Sequence, residues 1–169
     1  MVENVESKSI KQWQALIEDA KNDNEWQKLN RANQFINNAY VESDNKLWGK
    51  ADHWATPLEF IRKNAGDCEN FAIAKYFTLK SIEVAETKLV ITHAIIKKTR
   101  KAHMVLLYRE TESSLLVLDK NRRQITLLSQ QADLEAIYGF NESDLWIMKT
   151  KFPPHQGWGC QQHEAMDGA

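Results

Sequence analysis

The stretch from Ala65 to Leu79 reads AGDCENFAIAKYFTL and predicts the beginning of a central helix, because apolar residues recur in it with helical spacing. Cys68 falls at the start of that helix, where the free backbone N–H groups and the helix dipole favour a thiolate. The acids on either side of it, Asp67 and Glu69, disfavour the same thiolate. A chain with only two cysteines thus places one of them where two influences oppose each other.

The composition of the whole chain argues against several classes of protein. Its 169 residues carry 22 basic and 23 acidic side chains, so the net charge of −1 gives no indication of nucleic-acid binding. No apolar run is long enough to predict a membrane span. The opening segment, MVENVESKSIKQW, is too polar to predict an export signal. The second cysteine, Cys160, has no partner at metal-ligand spacing, and we expect an exposed thiol without a function.

The first half of the chain predicts amphipathic helices, because apolar residues recur every three or four positions with charge on the opposite face. Trp13 and Trp26 fall on the inward faces of the first two helices. Residues 43–57, SDNKLWGKADHWATP, predict a loop, at the end of which Thr56 caps a short helix. In chain order the predicted helices span residues 7–22, 24–40, 56–66 and 68–82.

In the second half the apolar period changes to that of strands. Four short runs rich in leucine and β-branched residues are typical of antiparallel strands: KLVITHAIIKK, AHMVLLYRE, SLLVLDK and RQITLLS. ADLEAIYGF predicts a short helix, and DLWIMKT predicts a last strand. Helices followed by strands predict an α+β fold with an antiparallel sheet.

Three residues with complementary chemistry fall at the ends of these elements. Cys68 begins the central helix, His103 opens AHMVLLY, and Asp119 closes LLVLD. If the two strands form a hairpin, His103 and Asp119 lie at the same end of neighbouring strands. A helix N-terminus packed against that end brings the cysteine beside them. A nucleophile, a base and an orienting carboxylate in this arrangement indicate a cysteine hydrolase.

Each of these residues also has a purely structural interpretation. Cys68 can be a small buried hydrophobic residue, Asp119 can initiate the DKN turn, and Asp67 can simply cap the helix. Glu69 can be an acid that interacts with the helix dipole. His93, in VITHAII, is the best rival for the base, but no acid follows it at hairpin spacing.

The segments WATPLEFIRKNAGDCENFAIAKYFTL, AHMVLLY and LLVLDK together resemble the bacterial transglutaminase-like cysteine proteinases, and more narrowly the LapG-type periplasmic proteases. The resemblance covers roughly residues 48–128. It implies a papain- or transglutaminase-like peptidase fold, with the nucleophile at a helix N-terminus. It also implies a cysteine endopeptidase with Cys68 as nucleophile, His103 as base and Asp119 as orienting residue.

The same resemblance implies a calcium ion, with Asp67 and Glu69 as ligands. Calcium takes roughly six to eight oxygens, so backbone carbonyls, water and Asn70 or Asp52 would have to complete the set. An ion bound there would offset the negative field that the two acids impose on the thiolate. Asp52 or Trp54 is further expected to line the substrate groove or to help stabilise an oxyanion, as a tryptophan does in transglutaminase-like enzymes.

Partners and compartment follow from the resemblance alone. It implies cleavage of a large secreted adhesin near its N-terminal retention segment, often at paired alanines, which releases biofilm cells. It also implies sequestration by an inner-membrane receptor that responds to cyclic di-GMP, and a periplasmic location. Two other functions remain open: acyl transfer of the transglutaminase type, and a non-catalytic calcium-binding interaction domain. We expect one domain over residues 1–169, with a helical part at 1–45, a catalytic core at 46–150 and a flexible tail at 151–169.

Overall fold

The computed structural model describes residues 2–148 of the chain, with side chains from residue 8 onward. Helices precede the main sheet, as the sequence predicts. The helices are α1 (Val2–Ala20), α2 (Glu25–Asn37), α3 (Asp44–Trp48), α4 (Pro57–Lys63) and α5 (Cys68–Ser81). Two short parallel strands, β1 (Tyr40–Val41) and β2 (Ala65–Gly66), join the segment before α3 to the segment before α5.

Local sequence signals set the limits of these helices. Asn24 caps α2 and Thr56 caps α4, each in a capping box with the residue three positions later. Pro57 occupies the first position of α4, where the N–H that proline lacks has no partner within the helix. Asn64 ends α4 in the left-handed conformation, with φ of 50°.

Six antiparallel strands form the main sheet in the order β6-β5-β4-β3-β7-β8. The hairpin of β4 and β5 places Leu106 opposite Leu118. This register brings the first residues of β4 close to the residues that follow β5. The strands are β3 (Leu89–Ile96), β4 (Lys101–Thr111), β5 (Ser114–Leu118), β6 (Thr126–Leu127), β7 (Leu134–Phe140) and β8 (Leu145–Ile147).

Helix α5 is buried along most of its length and packs against one face of the sheet. Side chains of β4 alternate between the two faces, as a strand requires. Met104 and Leu106 join the core under α5, together with Leu79. Val105 and Leu107 belong to a second cluster, which includes residues of β3 and β5. A helix that is buried nearly all round, with several polar side chains among its buried residues, is therefore the central element of the fold.

Three predictions about local structure are wrong. Residues 132–140 contain strand β7 instead of a helix, because this segment pairs with both β3 and β8. The predicted loop at 43–57 contains α3, since the Ser43 side chain caps it and Gly49 ends it with φ of 65°. Trp26 is 53% exposed and is not part of the core.

The α+β class with an antiparallel sheet is confirmed. Trp13 is half-buried, as expected, and its indole N–H donates to Thr78. None of the helices in residues 2–148 has the length and hydropathy that crossing a bilayer would take. The domain limits stay a prediction. The predictions for the tail at 151–169 and for Cys160 lie outside the described residues.

Candidate active site

Cys68 is the first residue of α5, and its neighbours fix that position. Asp67 caps the helix, because its carboxylate accepts the Asn70 backbone N–H at 3.3 Å. Gly66 allows α4 to approach closely: a Cβ there would lie 2.8 Å from the Asn70 Cβ and 2.9 Å from a ring carbon of Phe60. The glycine–aspartate pair therefore lets the chain enter a buried helix directly before the cysteine.

The Cys68 side chain is 1% exposed and lies beside the sheet. Its Sγ accepts the backbone N–H of Met104 at 3.2 Å, which places the sulfur next to the residue that follows His103. This hydrogen bond and the N-terminus of α5 would both stabilise a thiolate. The nucleophilic form of Cys68 is the thiolate, so the chemistry requires the reduced residue.

His103 and Asp119 form a buried pair at the end of the β4–β5 hairpin. His103 Nε2 lies 2.8 Å from Asp119 Oδ1, and each residue is 4% exposed. Burial raises the pKa of Asp119, but the His103 hydrogen bond and charge and the Asn121 backbone N–H outweigh burial and hold that pKa below its ordinary value. A carboxylate bound at Nε2 keeps the proton of a neutral ring on that nitrogen, which leaves Nδ1 as the basic atom.

The loop that follows Asp119 is tied to α2 by two amide side chains. Asn37 Nδ2 donates to the backbone oxygens of Asp119 and Arg122, at 3.0 and 3.2 Å. The buried Asn33 donates to the backbone oxygen of Arg123 at 3.1 Å. These bonds fix the loop, and with it the carboxylate that holds His103.

A cluster of three buried acids lies at the start of α5. One carboxylate oxygen from each of Asp44, Asp67 and Glu69 lies within 4.8 Å of the others. Burial, reinforced by the charge of Asp44, raises the pKa of Asp67 to about 7. Burial, a hydrogen bond with Asp52 and the charge of Asp67 raise the pKa of Glu69 to about 10. A cation bound here would favour the ionised forms of these acids.

Asn70 fixes this acid cluster by joining three segments of the chain. Its Nδ2 donates to Asp44 Oδ1 at 3.1 Å, and its Oδ1 accepts the backbone N–H of Ala55 at 2.9 Å. Its own backbone N–H donates to Asp67. The side-chain oxygen that was one option for completing a calcium site is thus already bonded to Ala55. The Nδ2 of Asn70 therefore positions Asp44, and the expectation that Asn70 helps to complete a calcium site stays a prediction.

Two further predicted residues, Asp52 and Trp54, lie in different surroundings. Asp52 hydrogen-bonds Glu69, which places it at the acid cluster. Trp54 is 48% exposed, stacks on Phe140 with ring centroids 6.1 Å apart, and lines an apolar groove of about 340 Å³. The two residues expected as alternatives for the substrate groove therefore have separate environments: Asp52 lies at the acid cluster, and Trp54 lines a groove.

His93, the rival base, lies in β3 and stacks on Tyr138 with ring centroids 5.1 Å apart. Burial lowers the pKa of His93, and its Nδ1 has no hydrogen-bond partner among the described residues. Within residues 8–148, no carboxylate forms an ion pair with His93 as Asp119 does with His103.

Sequence reasoning missed two residues of the site. Asp44 lies in the segment interpreted as a loop, where Ser43 followed by acid was an available helix-start signal. Nothing in that signal indicated that Asp44 meets Asp67. Asn121 lies in the DKN turn, and its Nδ2 is 3.5 Å from His103 Nε2. The turn was visible in the sequence, but this contact depends on the register of the hairpin.

Comparisons with known proteins bear on this geometry. A sequence profile described as bacterial transglutaminase-like cysteine proteinase matches residues 4–146. Calcium-bound LapG of Legionella pneumophila is similar in structure, with a TM-score of 0.76 and 35% identity over 90% of this chain and 91% of that one. The EGTA-treated form of LapG gives a TM-score of 0.76 and 35% identity over 89% and 87% of the two chains. A search of curated protein sequences gave no significant match.

Proposed function

Because the chain belongs to the bacterial transglutaminase-like cysteine proteinases, we propose that it is a calcium-dependent cysteine endopeptidase with Cys68, His103 and Asp119 as its triad. Membership of the family makes the chain a cysteine peptidase with a protein substrate. The observation that supports the triad most strongly is the buried His103–Asp119 pair. His103 directly precedes Met104, whose backbone N–H donates to Cys68 Sγ.

In the proposed reaction, His103 Nδ1 takes the Cys68 proton, and the thiolate attacks the carbonyl carbon of the scissile peptide bond. A carbon–sulfur bond forms, and the carbon–nitrogen bond breaks as His103 returns the proton to the leaving amine. A water molecule, deprotonated by His103, then hydrolyses the thioester and restores the thiol. Asp119 stays ionised throughout, holds the ring in place and stabilises the imidazolium.

The acid cluster fits a calcium ion. Asp44, Asp67 and Glu69 offer only oxygen atoms, the hard donors that calcium prefers, and Asp52 adds a further carboxylate at Glu69. Calcium bound there would offset the negative field beside Cys68 and so favour the thiolate. The existence of both calcium-bound and EGTA-treated LapG structures supports the choice of ion.

For the substrate we infer the N-terminal region of a large cell-surface adhesin, whose cleavage releases cells from a biofilm. The same likeness to the LapG-type proteases supports a periplasmic location and control by an inner-membrane receptor that responds to cyclic di-GMP. Trp54 is the residue we assign to substrate contact, because its exposed ring lines an apolar groove.

Cleavage of a defined segment tests this proposal. The reduced protein is incubated with the N-terminal region of a large adhesin from the same genome, in calcium and in EGTA, and the products are identified by mass spectrometry. We expect a single cut at paired alanines that requires calcium. Cys68→Ala and His103→Ala should each lower kcat/KM by a factor on the order of a thousand or more, with unchanged circular dichroism.

His93→Ala is the matched control, because it removes the rival histidine, and it should keep most of the activity. Undiminished cleavage by Cys68→Ala would refute the assignment of the nucleophile. Incorporation of an added amine donor in place of hydrolysis would indicate the acyltransferase alternative.

A further inference from the structure

A polar groove of about 830 Å³ lies between α2 and the loop that follows β5, and the proposed reaction gives it no role. The exposed ring of Trp26 belongs to its lining. Six polar side chains complete most of that lining, and together they define the polar groove: Asn30, Gln34, Asn38, Lys120, Asn121 and Arg123.

The polar groove reaches the catalytic centre through Asn121. Its Nδ2 lies 3.5 Å from His103 Nε2, and its backbone N–H donates to Asp119 Oδ1 at 3.0 Å. Lys120 directly follows Asp119; burial lowers the pKa of its amine, while the charges of Asp119 and Asp67 act in the opposite direction and favour the ammonium. A peptide lying along the groove would therefore meet the residues that hold the triad together.

The wall of the groove is already fixed before any ligand binds. Asn37 holds the backbone at Asp119 and Arg122, and Asn33 holds it at Arg123. Because this wall is tied to α2, binding a peptide here would not require ordering the loop first. Preorganisation of this kind lowers the free-energy cost of association.

The side chains that line the groove include two basic ones, Lys120 and Arg123, and no acidic one. Lys120 Nζ donates to Asn121 Oδ1 at 3.1 Å. Across residues 8–148, neither Lys120 nor Arg123 forms an ion pair with a carboxylate. The neighbouring acid, Asp119, is engaged with His103. In a chain with nearly equal numbers of acids and bases, this is a local surplus of positive charge.

Amide side chains both donate and accept hydrogen bonds, so they match the N–H and C=O groups of an extended peptide backbone. We propose that the polar groove binds an extended segment of the protein substrate that carries aspartate or glutamate, with Arg123 and Lys120 as the partners of these acids. The inference rests on the proposed function, because it assigns the groove to the substrate of the same triad. It predicts a preference for acidic residues on one side of the cleaved bond.

Binding to the inactive Cys68→Ala protein tests the groove without any need for cleavage. The probes are two fluorescein-labelled Gly/Ser peptides of equal length, one with two central aspartates and the other with two asparagines. At about 50 mM salt the aspartate peptide should bind roughly fivefold tighter by fluorescence anisotropy, and the advantage should shrink at about 500 mM salt. Arg123→Glu in the same background should remove the preference.

Arg109→Glu is the matched control, since it makes the same charge change on a side chain that lies over Trp146 and does not line the groove. It should keep the preference. Equal binding of the two peptides, no binding of either, or equal losses from Arg109→Glu and Arg123→Glu would overturn the inference.

A separate measurement with the active protein distinguishes this inference from the proposed function. Peptides from a digested proteome are exposed to the reduced protein with calcium, and the cut sites are mapped. Acidic residues should be enriched on one side of the cut, and Arg123→Glu should abolish the enrichment. Absence of any Cys68-dependent cut would refute the proposed function, whereas Cys68-dependent cuts without acidic enrichment would refute the groove alone.

Discussion

The amine of Lys75 lies in the interior of the protein, and Lys75 follows Cys68 on α5 by about two helical turns. Its side chain is 1% exposed, and burial lowers its pKa to about 7, although the charge of Asp119 acts in the opposite direction. The charge of Lys75 in turn helps to keep the pKa of Asp119 low. A protonated Lys75 is therefore unfavourable for the fold and favourable for the carboxylate that orients His103.

Replacing Lys75 with Met should change how stability depends on pH. Between about pH 7 and pH 10.5 the unfolded chain keeps the Lys75 proton and the folded chain loses it. The free energy of unfolding of the wild type therefore gains up to about 1.4 kcal/mol per pH unit from this group as the pH rises. Lys75→Met lacks that gain, so its stability relative to wild type should fall steadily over this range in urea denaturation.

Lys97→Met serves as the control for Lys75→Met, because Lys97 is exposed. Its stability relative to wild type should stay nearly constant over the same pH range. A constant difference for Lys75→Met as well would contradict a buried amine that is neutral at high pH.

At the scale of secondary-structure elements, the beginning of α5 is where four segments meet. Asn70 bonds to α3 at Asp44 and to the loop before α4 at Ala55. Gly66 lies in β2 against Phe60 of α4. The position of the nucleophile therefore depends on close packing between α4 and α5 as well as on the helix cap.

Gly66→Ala should lower the free energy of unfolding by about 1–3 kcal/mol, because the added methyl group would lie 2.8 Å from the Asn70 Cβ and 2.9 Å from the Phe60 ring. Equilibrium urea denaturation measures the loss. Gly49→Asn is the control: no atom lies within 4 Å of a Cβ there, and asparagine tolerates a φ of 65°. A Gly66→Ala protein as stable as wild type would contradict the tight contact between α4 and α5.

The start of α5 and the β4–β5 hairpin could be predicted because their signals are local. The cap residue and the apolar period of the helix lie within a few positions of Cys68, and strand alternation places His103 and Asp119 at element ends. Strand β7 could not be predicted, because its pairing with the distant β3 determines its conformation. Asp44 was missed for the same reason, since Asn70 brings it to Asp67 through contacts across the fold.

Trp26 shows a different limit of sequence patterns. Its helical spacing predicted a core position, yet its ring is 53% exposed and lines the polar groove. An apolar stripe on a helix indicates which face turns inward, but it does not show how far along the helix the covering elements extend. Neighbouring elements bury Leu29, Ala32 and Ile36 of the same helix and leave Trp26, in its first turn, exposed.

At the scale of the whole molecule, the site is assembled from distant parts of the chain. Asp44 comes from α3, Cys68 from the start of α5, His103 from β4, and Asp119 from the end of β5. The acid cluster and the nucleophile share one helix N-terminus, so the charge state of the cluster acts directly on the sulfur. The reactivity of Cys68 should therefore report on the occupancy of the cluster by a metal ion.

The rate at which iodoacetamide labels the reduced protein at about pH 6.5 measures that reactivity. Mass spectrometry separates the Cys68 peptide from the Cys160 peptide, and each protein is measured in calcium and in EGTA. Asp44→Asn weakens the proposed calcium site without touching the nucleophile. Asp19→Asn makes the same chemical change at an exposed position on α1.

We predict fast labelling of Cys68 in calcium that depends on His103 and collapses in EGTA. Asp44→Asn should need more calcium for the same rate, and Asp19→Asn should match the wild type. Slow labelling in both conditions would contradict an activated nucleophile, and fast labelling that is indifferent to EGTA would contradict the role of calcium.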